Sequence, residues 1–217
     1  MIVVVDYGAA NLLSITRALE ACGAPVAVSD SPSVIAAADG VVLPGVGAAG
    51  SAMERLRASG ADAALRRIAD AGRPLLGVCL GMQLFFERLE EDGATGLGLL
   101  PGAVTLLPPG RKIPHMGWNT LTWAPGAPGT ALFSGLQPGV HAYFVHSYAC
   151  VPANSVHAAA WTEYGEPLCA AVAMGGLYGV QFHPEKSGAA GLRMLANWLA
   201  LVTAQPAYLT EVGECRP

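Results

Sequence analysis

The sequence predicts an α/β fold with a mostly parallel central sheet to which antiparallel strands are added. In the first half of the chain, β-branched runs alternate with segments of helical periodicity, the pattern of a parallel sheet covered by helices on both faces. In the second half, short apolar segments are separated by Pro and Gly turns, which is typical of antiparallel strands. The length of 217 residues suits one sizeable domain. We expect that domain over residues 1–203 and a C-terminal tail over residues 204–217.

The individual elements follow from local patterns. Continuous apolar runs predict buried strands at residues 2–5 and 75–78, and further strands at residues 26–28 and 40–43. Helical spacing of apolar residues predicts helices at residues 12–22, which Gly23 ends, and 82–89. Ser31 before Pro32 predicts the start of another helix, and the capping-box pattern of residues 51–54 predicts one more. In the second half we expect strands at residues 121–123, 142–147, 156–162, 168–174 and 177–181, and a last helix at 190–202.

Composition excludes several classes of protein. Apolar residues make up 53% of the chain and charged residues only 13%, which excludes a disordered acidic tail. The net charge of -4, with 12 Lys and Arg residues never clustered beyond pairs, argues against nucleic-acid binding. The apolar run at residues 74–86 is too short to span a membrane, and the N-terminus lacks the basic region of a signal peptide. The five scattered cysteines form no CxxC pair, so we expect a reducing cytoplasm, no metal and no cofactor.

The strongest local signal for chemistry is Gly-Val-Cys-Leu-Gly at residues 77–81, between a predicted strand and a predicted helix. This is the cysteine form of the nucleophile elbow, a strained turn whose small neighbours let other chain segments approach. At this position Cys79 would lie at a helix N-terminus, which favours the thiolate, and the N–H of Leu80 would face an oxyanion. The alternative is a buried packing cysteine, which the two flanking glycines disfavour.

A cysteine nucleophile needs a base, and the base needs a group that orients it. Among the five histidines, His183 follows a predicted strand and precedes Glu185 by two residues. Side chains two residues apart in an extended segment point the same way, and Pro184 favours the extended conformation at His183. We expect Glu185 to hold the imidazole while the other ring nitrogen faces Cys79.

The remaining histidines are weaker candidates because none has a carboxylate within a few residues: His115, His141, His146 and His157. We expect His146 to be a satisfied core or interface histidine, and a metal site built from His141 and His146 would lack a supporting acid.

The loop at residues 44–47, Pro-Gly-Val-Gly, follows the third predicted strand and is a candidate for the second oxyanion donor. It lacks the Gly-Lys-Ser/Thr ending of a phosphate loop.

Three motifs in this order resemble the class I (triad) glutamine amidotransferases: residues 44–47, residues 77–83 (Gly-Val-Cys-Leu-Gly-Met-Gln) and residues 182–185 (Phe-His-Pro-Glu). Further segments resemble the branch that supplies glutaminase subunits of imidazole glycerol phosphate synthase in histidine biosynthesis: residues 6–8 with Asn11, Leu12 and Ser14, and residues 96–102, 112–119, 143–148 and 183–188. The resemblance covers residues 2 to about 200 and implies the flavodoxin-like three-layer fold of that family. The sequence departs from the family pattern at Ala10 and Ala49, where glycine and phenylalanine are usual.

The resemblance implies an enzyme that hydrolyses L-glutamine to glutamate and ammonia through Cys79, His183 and Glu185. It also implies four residues around the oxyanion: Gly45, Val46, Gly47 and Leu80. It places Gln83 at the substrate and Lys186 near a partner interface. The implied partner is a (β/α)8 cyclase subunit, in a heterodimer, which uses the ammonia to form imidazole glycerol phosphate and an aminoimidazole carboxamide ribotide (AICAR). We expect the charge-poor residues 113–162 to contribute to that interface.

Three alternatives stay open. The first is the glutaminase of another synthase of this superfamily, for anthranilate or pyridoxal phosphate, against which residues 114–118 and 184–187 argue. The second is a free-standing cysteine hydrolase or peptidase with the same elbow, which would need no partner. The third is a non-catalytic interaction module on this fold, in which Cys79 would matter for stability alone.

Overall fold

The computed structural model describes residues 1–8, 12–127 and 129–204. The helices in these ranges are α1 (Leu12–Ala21), α2 (Pro32–Ala37), α3 (Ala49–Ser59), α4 (Ala61–Asp70), α5 (Leu80–Gln83) and α6 (Gly188–Ala204). The strands are β1 (Ile2–Val5), β2 (Val26–Ser29), β3 (Gly40–Leu43), β4 (Leu75–Val78), β5 (Phe86–Leu89), β6 (Ala94–Thr95), β7 (Leu100–Leu106), β8 (His115–Thr120), β9 (His141–His146), β10 (Tyr148–Pro152), β11 (Ala158–Glu163), β12 (Pro167–Met174) and β13 (Leu177–Val180). Short 3₁₀ turns lie at Glu91–Gly93, Thr130–Phe133, Ser155–His157 and Pro184–Lys186.

One large sheet lies at the centre, with strand order β2-β1-β3-β4-β13-β12-β10-β7-β5-β6, and β11 pairs with β12. The strands from β2 to β13 are parallel, and so is the pair β5 and β7. The other pairs of this sheet are antiparallel, and β8 and β9 form a separate antiparallel ribbon. The predicted fold class is therefore confirmed. The antiparallel prediction for residues 177–181 is only half right, because β13 pairs antiparallel with β12 but lies parallel to β4.

Strands β1, β3 and β4 are buried on both faces, which explains their continuous apolar sequences. In β1, Val3 and Val5 belong to the apolar core that includes α3 and α4, whereas Ile2 and Val4 belong to the core that includes α1 and α6. Successive side chains of a strand point to opposite faces. The sheet thus separates two apolar cores, and three layers result.

The predicted helix at residues 82–89 is wrong. The helix is only α5, which ends at Gln83, and Phe86–Leu89 is strand β5. Phe86 and Leu89 are the two buried residues of this segment, and their spacing of three suits a helix as well as a short strand. Pairing of β5 with β7 decides between the two.

The predicted capping box at residues 51–54 is also wrong. Helix α3 begins at Ala49, two residues before Ser51. The N–H of Ala49 donates to Glu91 Oε2 at 2.8 Å. A carboxylate from a distant turn thus satisfies a helix N-terminal donor that the sequence pattern assigned to a local side chain.

Most other elements lie within a few residues of their predictions. Residues 121–123 form only a single bridge, Thr122 with Trp161, in place of the predicted strand. Ala10, Asn11 and residues 205–217 of the predicted tail lie outside the described residues. In the described ranges, no helix has both the length and the apolar character to cross a membrane.

Candidate active site

The motifs that are far apart in the sequence meet at the carboxyl ends of three adjacent parallel strands. Pro44 follows β3, Cys79 follows β4, and Gln181 follows β13. These strands are neighbours in the order β3-β4-β13. Ligands of open α/β sheets bind outside this edge, so strand order alone brings the segments to one place.

Cys79 lies in a strained turn between β4 and α5. Its backbone angles are φ 54° and ψ -111°, a region that residues with a side chain rarely adopt. The flanking glycines are required by close backbone contacts: a Cβ at Gly81 would lie 1.8 Å from the carbonyl oxygen of Leu43, and one at Gly77 would lie 2.7 Å from the nitrogen of Met82. The turn therefore has the shape of the predicted elbow.

His183 and Glu185 form a buried pair. Nδ1 of His183 lies 2.8 Å from Oε1 of Glu185, and the two side chains are 3% and 2% exposed. Burial by itself disfavours the imidazolium, but the interactions with Cys79 and Glu185 outweigh it and raise the pKa of His183 to about 9. Nε2 of His183 is buried and has no hydrogen-bond partner among the described residues. This nitrogen is thus not committed to another group of the described chain, and it lines the same cavity as Cys79.

The sulfur of Cys79 has two polar contacts and opens into a cavity. Sγ lies 3.8 Å from the carbonyl oxygen of Val145, to which the thiol donates, and it accepts from Nε2 of Gln181 at 3.7 Å. The cavity has a volume of about 320 Å³, which suits a small metabolite. Its wall includes Cys79 and His183, so the thiol and the imidazole face the same space.

The other predicted site residues are placed as follows. Val46, Gly47, Leu80 and Gln83 line the same cavity. Gly45 lies behind the wall, where a Cβ would lie 2.4 Å from the hydroxyl of Tyr7 and 2.8 Å from Cβ of Leu80. Lys186 is exposed, and its Nζ lies 5.9 Å from the ring centroid of Tyr143.

The side chain of Gln83 is held inside the protein rather than extended into the cavity. It is 5% exposed, and its Nε2 donates to the carbonyl of Tyr148 at 3.1 Å and to Oε1 of Gln181 at 3.0 Å. Both N–H bonds of the amide are therefore used. The acceptor oxygen is the remaining polar atom of this side chain.

His115 and His146 form a hydrogen-bonded pair beside the cavity. Nδ1 of His146 lies 2.8 Å from the carbonyl of Tyr148, and its Nε2 lies 3.0 Å from Nδ1 of His115. Nε2 of His115 lies 3.2 Å from Nδ2 of Asn119. Burial lowers the pKa of both histidines to about 4, so the pair is neutral. The prediction that His146 is a satisfied core histidine is confirmed.

The sequence reasoning missed two polar residues of the site, Glu91 and Gln181. Glu91 lines the cavity, and no local pattern marks it, because a 3₁₀ turn brings it there. Gln181 is detectable in principle, since it precedes His183 by two residues and therefore shares its side of the extended segment. Within the described ranges, no group of three or more His, Cys, Asp or Glu side chains is arranged to hold a metal ion.

Known proteins resemble this chain over nearly its whole length. The family model "Glutamine amidotransferase class-I" matches residues 3–201. A protein of Moorella thermoacetica named imidazole glycerol phosphate synthase subunit HisH is 50% identical over 203 residues, covering 93% of this chain and 95% of that protein. A protein of the same name from Symbiobacterium thermophilum is 50% identical over 202 residues, covering 93% and 94%.

Solved structures share the fold at low sequence identity. A crystal structure of a glutamine amidotransferase matches with a TM-score of 0.73 at 18% identity, covering 93% of this chain and 98% of that one. The structure of PurLQS from Thermotoga maritima matches with a TM-score of 0.69 at 19% identity, again covering 93% and 98%. The family model and the relatives agree with the geometry around Cys79, and the chain belongs to the class-I glutamine amidotransferase family.

Proposed function

We propose that this chain is the glutaminase subunit of an imidazole glycerol phosphate synthase and supplies ammonia to a cyclase subunit. The observation that carries the proposal is the buried His183, which is paired with Glu185 and lines the same cavity as the strained Cys79. The relatives that are named as subunits of this synthase, at 50% identity over almost their full length, support the choice of synthase.

In the first half of the reaction, Cys79 attacks the side-chain amide of glutamine. The thiol proton passes to His183 Nε2, the S–C bond forms from the thiolate, and the carbonyl oxygen becomes an oxyanion. Glu185 accepts from Nδ1–H, which keeps Nε2 free to receive the proton and stabilises the imidazolium. The C–N bond then breaks, His183 returns the proton to the leaving nitrogen, and ammonia departs from a γ-glutamyl thioester.

In the second half, water hydrolyses the thioester. His183 takes a proton from water as the new C–O bond forms, and collapse of the second tetrahedral intermediate breaks the C–S bond. Glutamate leaves, and the sulfur recovers its proton. The same oxyanion position is used twice, so donors placed there lower both barriers.

We assign the oxyanion donors to the N–H of Leu80 and to the loop of Gly45, Val46 and Gly47. Leu80 follows the nucleophile directly, as in other elbows. Val46 and Gly47 share the cavity wall with Cys79, and the tight packing of Gly45 on Leu80 holds the loop against the elbow.

We assign recognition of the rest of glutamine to Gln83 and Glu91. The acceptor oxygen of Gln83 and the carboxylate of Glu91 suit the α-ammonium group of an amino acid, and both residues line the cavity. One oxygen of Glu91 already accepts from the N–H of Ala49, which orients the carboxylate.

The cyclase is proposed to cover an apolar surface beside the cavity, which we name the β8 surface and define as Ile113, Met116 and Trp118. These side chains are 38%, 62% and 57% exposed, which is high for large apolar residues. The ring of Trp118 lies 6.1 Å from that of Tyr143, over which Lys186 extends. The β8 surface is thus continuous with Lys186, which supports one common interface for the partner.

Two further assignments complete the proposal. We place the catalytic domain at residues 1–203, a range that contains the matched residues 3–201. We place the protein in the cytoplasm, where the free cysteines of the described chain, Cys22, Cys79, Cys150 and Cys169, would stay reduced.

The test is glutamine hydrolysis measured alone and with a cyclase subunit that has its nucleotide substrate bound. We expect weak hydrolysis by the chain alone and a large rise with the partner. Hydrolysis of glutamine that the cyclase leaves unchanged would contradict the synthase assignment. Hydrolysis of peptides or esters in preference to glutamine would favour the free-standing hydrolase.

The β8 surface is tested separately by the variants Trp118→Ala and Met116→Ser. We expect both to lose stimulation by the cyclase while hydrolysis by the isolated chain stays near the wild-type rate. Val151→Ser is the matched control, because Val151 is 51% exposed on β10, outside this surface. Equal loss of stimulation in the control would contradict the assignment.

A further inference from the structure

Gln181 is a buried amide in direct contact with the nucleophile, and the mechanism above does not use it. It is 1% exposed, and its Nε2 lies 3.7 Å from Sγ of Cys79. Its Oε1 lies 3.0 Å from Nε2 of Gln83 and 4.0 Å from Sγ of Cys150. Both ends of the amide are therefore engaged by polar groups in the protein interior.

The orientation of the Gln181 amide is set by the backbone carbonyl of Tyr148, to which it is connected through two successive hydrogen bonds of Gln83. The carbonyl of Tyr148 can only accept, so Gln83 must present its Nε2 there, at 3.1 Å. The second N–H of the same nitrogen then faces Gln181, which must answer with Oε1. Only Nε2 of Gln181 remains for Cys79. Reversing the Gln181 amide would oppose two donors in a buried site, which costs about 1–3 kcal/mol.

The carbonyl of Tyr148 is itself held by a second donor. Nδ1 of His146 lies 2.8 Å from it, and because the acceptor is a carbonyl, this nitrogen carries the proton. Nε2 of the neutral His146 accepts from His115, which accepts from Asn119. The hydrogen bonds thus connect β8 to the sulfur through the carbonyl of Tyr148, which accepts from both His146 and Gln83, and each side chain in the network has one fixed orientation.

Resting on the proposed function, we infer that Gln181 is a further residue of the catalytic machinery: a permanently oriented N–H donor that stabilises the thiolate of Cys79. Donation to an anion strengthens when the sulfur ionises, whereas the contact of the thiol with the carbonyl of Val145 becomes unfavourable. Gln181 therefore favours the charged form of the nucleophile before glutamine binds. Gln83 and Tyr148 act on the sulfur only through Gln181 and are positioning residues in this respect.

The other titratable groups near the sulfur do not change between the wild type and the variants proposed below. Among the described residues, the groups that interact with Cys79 or share its cavity are Tyr7, Glu91, His146, Tyr148, Cys150 and His183, and burial raises the pKa of Tyr148, so its hydroxyl is neutral. Burial raises the pKa of Tyr7 and of Cys150, so both are neutral, and His146 is neutral because burial lowers its pKa to about 4. His183 and Glu91 are unchanged in the variants below, so a change in the ionisation of the sulfur reports on Gln181.

The test is the pH dependence of alkylation of Cys79 by iodoacetamide, without glutamine, in wild type, Gln181→Met and Gln181→Leu. Mass spectrometry of the peptide that contains Cys79 separates it from the other thiols. Methionine fills the volume without a donor, and we expect the profile to move up by about one pH unit, with alkylation about tenfold slower on its acid side. Leucine also lacks a donor and adds no charge, remains informative if the methionine variant does not fold, and is expected to move the profile in the same direction.

The controls distinguish an effect on the ionisation of Cys79 from a loss of folding stability and from a failure of the proposed function. Ile68→Val removes one methyl group in α4, costs about 1 kcal/mol of stability, and is expected to leave the alkylation profile unchanged. A wild-type profile in the Gln181 variants, or an equal shift in Ile68→Val, would overturn the inference. Alkylation needs no glutamine, so failure of the wild-type chain to hydrolyse glutamine would overturn the proposed function while the profiles still decide the role of Gln181.

Discussion

Oε1 of Glu185 lies 2.8 Å from Nδ1 of His183, and both side chains are almost fully buried at the end of β13. The two residues are separated by Pro184, which begins a 3₁₀ turn directly after the extended His183. This local geometry orients the imidazole before any substrate binds. Its energetic consequences, and those of the contacts around Cys79, are open to measurement.

Glu185→Gln should reduce kcat for glutamine hydrolysis by about 10³–10⁴ with little effect on KM. The amide retains the shape of the carboxylate but removes the charge that stabilises the imidazolium, and its NH₂ group can hold the wrong tautomer. Steady-state kinetics measure the loss, and thermal unfolding checks that the variant is folded. A reduction of less than tenfold would contradict the role of Glu185.

The free energy of unfolding should depend on pH through His183. The pKa of His183 is raised to about 9 in the folded chain, against about 6.5 in an unfolded chain. The folded state therefore holds the proton more tightly, and the stabilisation is complete below pH 6.5 and lost as the pH rises through about 9. Relative to His183→Gln, the wild type should lose up to about 3 kcal/mol between these limits in urea unfolding. Parallel pH profiles of the two proteins would refute the coupling.

Gly81→Ala should abolish folding or reduce stability by more than about 3 kcal/mol. The new Cβ would lie 1.8 Å from the carbonyl oxygen of Leu43, a backbone atom of a central strand. Gly175→Ala is the control: it has open space around the Cβ but a φ of +58°, so its cost is limited to about 1–2 kcal/mol. Chemical denaturation of both variants measures the difference in the free energy of unfolding. Similar losses of stability in the two variants would contradict the steric argument, because they would show that the backbone moves to admit the Cβ at Gly81.

Glu91 should have two separable roles. Glu91→Gln keeps an oxygen for the N–H of Ala49 and should raise KM for glutamine without loss of stability, because only the charge facing the α-ammonium group is removed. Glu91→Ala should raise KM and also cost about 1 kcal/mol as the N-terminal donor of α3 loses its partner. Ser51→Ala, at the position the capping box predicts, should be nearly neutral. If Ser51→Ala reduced the free energy of unfolding more than Glu91→Ala does, the helix N-terminus would depend on the capping box after all.

The fold and the catalytic residues differ in how far local sequence patterns reveal them. The β-branched runs of β1 and β3 are unambiguous because burial on both faces demands them. The elbow around Cys79 can also be predicted from the sequence, because close backbone contacts require its two glycines. By contrast, Phe86 and Leu89 are compatible with two periodicities, and only the distant partner β7 selects the strand.

Residues that enter the site by tertiary contact have no local signature. Glu91 reaches both the start of α3 and the cavity from a turn more than forty positions after Ala49. The orientation of Gln181 depends on the carbonyl of Tyr148, which belongs to another strand. Such relationships are set by which strands lie side by side, and the amino-acid pattern of one segment does not contain them.

The central claim is that Cys79 carries the γ-glutamyl group of glutamine. Acid quenching of the enzyme during turnover with labelled glutamine, followed by mass spectrometry of its peptides, measures this most directly. We expect a labelled thioester on the peptide that contains Cys79, and we expect the fraction of enzyme that carries it to rise as glutamine approaches saturation. In Cys79→Ser, both this thioester and the hydrolysis of glutamine should be lost. Undiminished hydrolysis by Cys79→Ser, or a covalent label on a different residue, would contradict the account.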